Sequence, residues 1–192
     1  RSGNRTWSRI YGGSGEDVGY YVRETTEGGF IIVGSTSSYS MGDEMLWLVK
    51  TDYNGSMTWD RTFGGFVSSS GDGGWSVQQT ADGGYIVAGY AQSMGAGRKD
   101  LWLIRTDGNG SLIWDRTFGG REDDVGMSVL QSRDGGYIVL QYWYFYAFND
   151  WRSRAYGVND HEADWEQVIV YLAEQADSPP QPTWVVFSAH DE

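Results

Sequence analysis

Along much of this chain both alternating sets of residues are apolar. In "YIVAGY" (Tyr85–Tyr90), Tyr85 and Val87 form one set and Ile86 and Ala88 the other. In "DLWLIRT" the sets are Leu101 with Leu103, and Trp102 with Ile104. Strict apolar–polar alternation would leave one face of a sheet in water, whereas these strands ask for cover on both. The flanking residues complete a unit of four short strands: "WSVQQT", the turn "ADGG", "YIVAGYA", "DLWLIRT", the turn "DGNG" and "SLIWDRTF". Asp-Gly and Asn-Gly between β-rich runs are strong hairpin signals.

The unit recurs. "DRTFGG" stands at Asp60–Gly65 and again at Asp115–Gly120, with a looser copy, "SRIYGG", at Ser8–Gly13. Trp7, Trp59 and Trp114 are 52 and 55 positions apart, and Trp47 and Trp102 are 55 apart. The pairs Gly28-Gly29, Gly83-Gly84 and Gly135-Gly136 repeat at 55 and 52. Periods of this size belong to solenoids, propellers and arrays. Small sheets stacked face to face would shield both apolar sets, each buried indole contributing roughly 2–4 kcal/mol before entropy is subtracted. The expected fold is all-β: about two and a half four-stranded, propeller-like blades, followed by a partial β-sandwich-like segment. The blades fill 1–140, as units near 12–65 and 66–120 and a partial unit at 121–140, with a last strand of a preceding unit at Thr6–Tyr11. The second segment is 141–192 and reads as truncated.

The string "TFGG…DGGYIVAG…DLWLIRTDGNGSLIWDRTFGG" resembles the tandem repeats of secreted bacterial and archaeal β-propeller proteins, related in architecture to kelch-type propellers. The resemblance implies a fold and an extracellular or cell-surface location; it names no ligand, since propellers host many functions. Propellers normally close with four to eight blades. Two and a half cannot close, so open edges that pair with another chain are expected, and with them self-association.

After "DGGYIV" the period breaks. Leu140–Asp150 is an aromatic block without a counterpart upstream, and its Trp143, Tyr144 and Tyr146, with Trp151, are the aromatics freest to meet a ligand. "WEQVIVYL" and "TWVVFSAH" read as strands around the proline-rich loop "DSPPQP". "NDHEADWEQV" resembles the HxxDWE core of necrosis- and ethylene-inducing peptide-like toxins and related β-sandwich domains. In that family a His, an Asp and a Glu at this spacing hold a divalent cation, which implies His161, Asp164 and Glu166. A further acid expected upstream falls near Ser153, so Asp150 or Asp160 would have to stand in. Independently of the family, Asp164 and Glu166 share a face of an extended strand, and carboxylates suit Ca²⁺ or Mg²⁺, with Mn²⁺ or Zn²⁺ favoured less. Against this stands the plainer reading of Asp160, Glu162, Asp164 and Glu166 as a solvated acidic edge.

Composition narrows the field. Glycine at 28, tryptophan at 10 and tyrosine at 13 suit short strands and tight turns and argue against disorder. A net charge of −12 disfavours nucleic acid, whose phosphates are met by clustered Lys and Arg. Without cysteine there is no disulfide framework and no thiolate metal site. No stretch approaches the ~20 apolar residues of a membrane helix. Sequons at Asn4, Asn54 and Asn109 are candidate glycosylation sites, although Asn-Gly-Ser at the last two equally serves a hairpin turn. "DYNGS" and "DGNGS" lack the later acids of a calcium loop. Two histidines, neither near a nucleophile signature, offer no Ser-His-Asp arrangement. The sequence thus favours a non-enzymatic, extracellular or surface-located binding or scaffold protein. Its rivals are a cation-dependent effector that engages lipid head groups or glycan through "HEADWE", and, third, a glycan hydrolase using two tail carboxylates.

Overall fold

The computed structural model describes residues 6–40, 43–64, 71–95, 98–133, 135–146, 164–175 and 178–188, with the backbone alone at 141–146, 164–168, 170, 174–175 and 178–188. The described residues are all-β, in twelve strands forming three antiparallel sheets of four. The first sheet takes β1 (Asp17–Glu24), β2 (Phe30–Thr36), β3 (Met45–Thr51) and β4 (Met57–Phe63) in chain order. The second takes β5 (Gly73–Gln79), β6 (Tyr85–Ala91), β7 (Asp100–Thr106) and β8 (Leu112–Phe118). The third takes β9 (Gly126–Gln131), β10 (Tyr137–Tyr146), β11 (Asp164–Gln175) and β12 (Ser178–Ser188). No helix among them is long and apolar enough to cross a membrane.

The second sheet lies between the other two, which is why both of its side-chain sets are apolar. Tyr85, Val87, Trp102 and Ile104 pack with Ile31, Val33, Leu46 and Leu48 of the first sheet. Ile86, Ala88, Leu101 and Leu103 pack with Val129, Tyr137, Val139 and Leu172 of the third. The split follows the pleat: Val87 faces Ile104 across the ladder, and Ala88 faces Leu103.

The repeated phrase holds these layers together. Trp47 Nε1 donates to Asp60 Oδ2 at 3.0 Å and Trp102 Nε1 to Asp115 Oδ2 at 2.9 Å, so the Asp of "DRTFGG" fixes the buried indole on the neighbouring strand. Phe63 and Phe118 close over the two inter-sheet cores. The Trp preceding each phrase crosses to the next unit: Trp7 meets Phe30 at 5.8 Å, Trp59 meets Tyr85 at 5.8 Å and Trp114 meets Tyr137 at 5.9 Å between ring centroids. Trp59 also covers Gly110 (φ 78°), the left-handed residue of the next hairpin turn, as Trp7 covers Gly55 (φ 72°).

The boundary expected between 140 and 141 falls inside β10, and β11 and β12 join the sheet begun by β9 and β10. Backbone register shows why the divergent tail still makes the last two strands of a unit. Lys50 stands opposite Ile31 and Trp59; Arg105 opposite Ile86 and Trp114; Tyr171 opposite Ile138 and Trp184. Trp184 therefore occupies the register position of Trp59 and Trp114. Tyr171 replaces the cation: its hydroxyl sits beside Gly136 and 3.4 Å from Ser132 Oγ, where Lys50 and Arg105 crowd Gly29 and Gly84.

Candidate functional site

Several charged and polar groups at the unit boundaries are engaged in bonds that the first and second units share. Lys50 Nζ pairs with Glu27 Oε1 at 3.0 Å, and Arg105 Nη2 with Asp82 Oδ2 at 2.5 Å; each cation also donates to the carbonyl of the following threonine. Arg105 Nε further donates to the Tyr137 hydroxyl at 3.1 Å, tying the second sheet to the third. Burial would raise the Glu27 carboxyl, but hydrogen bonds from Lys50, the backbone and Gln79, with the Lys50 charge, bring it down to about 2. Asp82 is held low chiefly by the Thr80 hydroxyl, working against burial. Asp17 would likewise rise on burial, yet Thr36, Ser38 and the Gly13 amide keep it below its ordinary value. Asp72, fully buried, accepts from the amides of Gln92 and Ser93 and from the Ser93 hydroxyl. These carboxylates serve turns and layers.

One group of side chains departs from that pattern. The first strand of every unit carries a β-bulge at the same place, between Gly19 and Tyr21, between Gly74 and Ser76, and opposite the Leu140–Gln141 step at Gly126–Ser128. The extra residues are Tyr20, Trp75 and Met127. A bulge turns one side chain out of the ladder, which is why bulges gather beside binding sites. Tyr20 and Trp75 stack at 4.4 Å with 31° between their planes, and Trp75 meets Tyr90 at 6.5 Å. Lys99 Nζ lies 4.3 Å above the Tyr90 ring. Tyr20 and Met127 are each 39% exposed, and the Trp75 indole nitrogen is buried without a hydrogen-bond partner. Burial, with neighbouring negative charge at Glu44 as the next contribution, lifts the Tyr90 phenol to about 12, so it stays protonated. Because β5 packs against β1 and β9, the bulges form a row along the first-strand edges of the three sheets.

Of the residues singled out in the sequence, His161, Asp160, Asp150, Trp151 and Asn4 lie outside the described residues. Asp164 and Glu166 open β11, and their backbones pair with Tyr146 and Trp143 of β10; Tyr144 falls at a register shift between them. The acidic stretch and the aromatic block, read separately in the sequence, are thus cross-strand neighbours. Among the described residues no three His, Asp or Glu groups converge as a metal site. Asn54 and Asn109 sit exposed in hairpin turns, where their amides donate to Asp52 Oδ1 and Asp107 Oδ1, both at 2.9 Å. Sequence reasoning missed the bulge row. Its signal was the aromatic or thioether two residues after "DV" or "DG" in "DVGYYV", "DGGWSV" and "DVGMSV", a place where each neighbouring strand alternates without it.

No family model and no curated protein matches this chain. Among solved structures it is similar to a protein of unknown function from Bacteroides caccae, at 9% identity and a TM-score of 0.47, over 94% of this chain and 64% of that one. The chain therefore spans a little under two thirds of that protein's length.

Proposed function

We propose that the three sheets are successive propeller-type blades and that the protein is a non-enzymatic, extracellular or surface-located binding and scaffold protein, with self-association part of the same reading. The bulge row of Tyr20 and Trp75, flanked by Met127, is its ligand-facing strip, and the ligand class is glycan. The observation that carries this reading is the division of labour among side chains. Acids and bases at the unit boundaries are committed to bonds that the first and second units share, while the bulged residue is turned out of the ladder in every unit. Flat aromatic faces beside a cation and acidic surroundings suit stacking on the apolar face of a sugar ring, with little call for acid–base groups.

A glycan array with the wild type and Tyr20→Ala tests it. Binding to a defined glycan set, lost in Tyr20→Ala while the denaturation midpoint holds, is expected. Binding that ignores Tyr20, or turnover of any glycan that disappears in Glu166→Gln, would overturn it. Calorimetry with Ca²⁺ on the wild type and on Asp164→Ala separates the rival effector reading: heat of binding lost in the variant would favour that rival.

A further inference from the structure

The two outer sheets present complementary halves of an interface the molecule has already built twice. Where the first sheet meets the second, and the second meets the third, a face of the Ile31–Val33 type covers a face of the Tyr85–Val87 type. On the first sheet the Tyr85-type face is covered in part by the chain's own Trp7 and Tyr39, and Trp47, Val49 and Thr51 are buried there, but its β1–β2 side stays open. Phe30 and Ile32 are half-exposed there and Val22 is 56% exposed, around a groove of about 430 Å³ that Trp7 and Glu24 also line. The third sheet turns its Ile31-type face outward: Ile138, Leu140, Ile169 and Tyr171 are half-exposed and Leu130 is 40% exposed.

The polar bonds at these interfaces have a direction. Gln79 Oε1 of the second unit accepts from the Thr26 amide of the first at 2.8 Å, and Gln131 Oε1 of the third accepts from the Ala81 amide of the second at 2.9 Å. By register the matching residue of the first unit is Glu24, opposite Phe30 as Gln79 is opposite Tyr85 and Gln131 opposite Tyr137. The matching turn residue of the third unit is Arg133. At the two outer sheets alone, the neutral Gln becomes Glu, and the neutral Thr or Ala becomes Arg; both are exposed.

We propose that these ends meet: the third sheet of one copy docks face to face on the first sheet of a second copy, head to tail, with Glu24 of one copy accepting from the Arg133 amide of the other beside its guanidinium. The contact is heterologous, so it propagates to chains or rings instead of stopping at a two-fold dimer. The segment Thr6–Tyr11, whose Trp7 lies on Phe30 and whose Tyr11 hydroxyl donates to the Gly55 carbonyl at 2.6 Å, holds the place that β12, with Trp184 in register, takes in the assembly. This rests on the self-association half of the proposed function but assigns it to faces instead of strand edges.

Sedimentation velocity across a concentration series tests it on the full chain. Mass above the monomer is expected, rising with concentration. Val22→Glu and Leu130→Glu each abolish it, and Glu24→Arg and Arg133→Glu each weaken it about tenfold. Mixing the last two variants restores association, because every contact between unlike copies again sets one acidic side chain against one basic one. The double variant, with the two charges exchanged, also associates alone. Association that survives both Val22→Glu and Leu130→Glu overturns the face contact and leaves edge pairing in place. A monomer at every concentration overturns this proposal and the self-association half together, without touching the glycan reading. Circular dichroism on each variant shows that the fold is retained; if Val22→Glu unfolds, the charge-swap mixture decides, and failure to restore association there overturns the pairing of Glu24 with Arg133.

Discussion

Trp102→Ala tests the stacked-sheet architecture most directly. The indole is 2% exposed, lies in the core shared by the first and second sheets, and donates to Asp115. Truncating a buried Trp to Ala costs about 3–5 kcal/mol, from lost transfer energy plus the cavity left behind. Trp47 makes the same bond to Asp60, but from the opposite, terminal face of the first sheet, where Tyr39 covers it at 6.1 Å. That neighbourhood can collapse more freely, so Trp47→Ala should cost about 1 kcal/mol less than Trp102→Ala. The hydrogen bond is a separable share: a bond to a carboxylate is worth about 1.5–3 kcal/mol, less here because Asp115 is half-exposed. Double-mutant cycles for Trp102/Asp115 and Trp47/Asp60 should then return similar couplings of about 1 kcal/mol. Urea denaturation followed by far-ultraviolet circular dichroism, with linear extrapolation, measures all of these against a domain stability of about 5–15 kcal/mol. If Trp102→Ala costs under about 1 kcal/mol, or less than Trp47→Ala, the indole is not shared between layers and the reasoning fails.

Other outcomes follow from the same geometry. A methyl group at Gly89 would run into the Gly73 carbonyl, and one at Gly34 into that of Val18, so Gly→Ala at either should cost more than about 2 kcal/mol; Gly28 (φ 87°) has open space, and Gly28→Ala should cost only about 1 kcal/mol, a contrast thermal melts will show. The Glu27 carboxyl is depressed from 4.5 to about 2, so its stabilisation is present above pH 4.5 and is lost as pH falls toward 2; Glu27→Gln should flatten that part of the melting-temperature profile, modestly, because the side chain is 51% exposed and screened by salt. Arg105→Met removes a donor from the Thr106 carbonyl and from the Tyr137 hydroxyl and should cost about 1–3 kcal/mol by chemical denaturation.

The all-β class and the sheet-forming units were legible because a period of 52 to 55 residues repeats both the Gly turns and the two-sided apolar strands. What the period could not show was that 141–192 supplies strands to the third sheet. Tyr171 takes the register position of Lys50 and Arg105, and Gln141 stands opposite Gly126 where Gly34 and Gly89 stand opposite glycines, so residue identity changed while register persisted. The resemblance of "HEADWE" implies metal chemistry, and three of its five candidate ligands, His161, Asp160 and Asp150, lie outside the described residues. The bulge row left only the short "DVGY", "DGGW" and "DVGM" signal, for a different reason. A bulge is a property of two strands counted against each other, and a linear reading sees only one of them.

The glutamine bonds from Gln79 to Thr26 and from Gln131 to Ala81 both point backward along the chain. A ladder with such polarity can gain or lose length only in whole rungs. Excising one complete period rejoins a donor amide to an acceptor side chain of the right kind, whereas cutting half a period strands both. Recombination among genes of this type should therefore leave survivors whose lengths differ by multiples of the rung, and a library of random deletions would sort itself by that quantum.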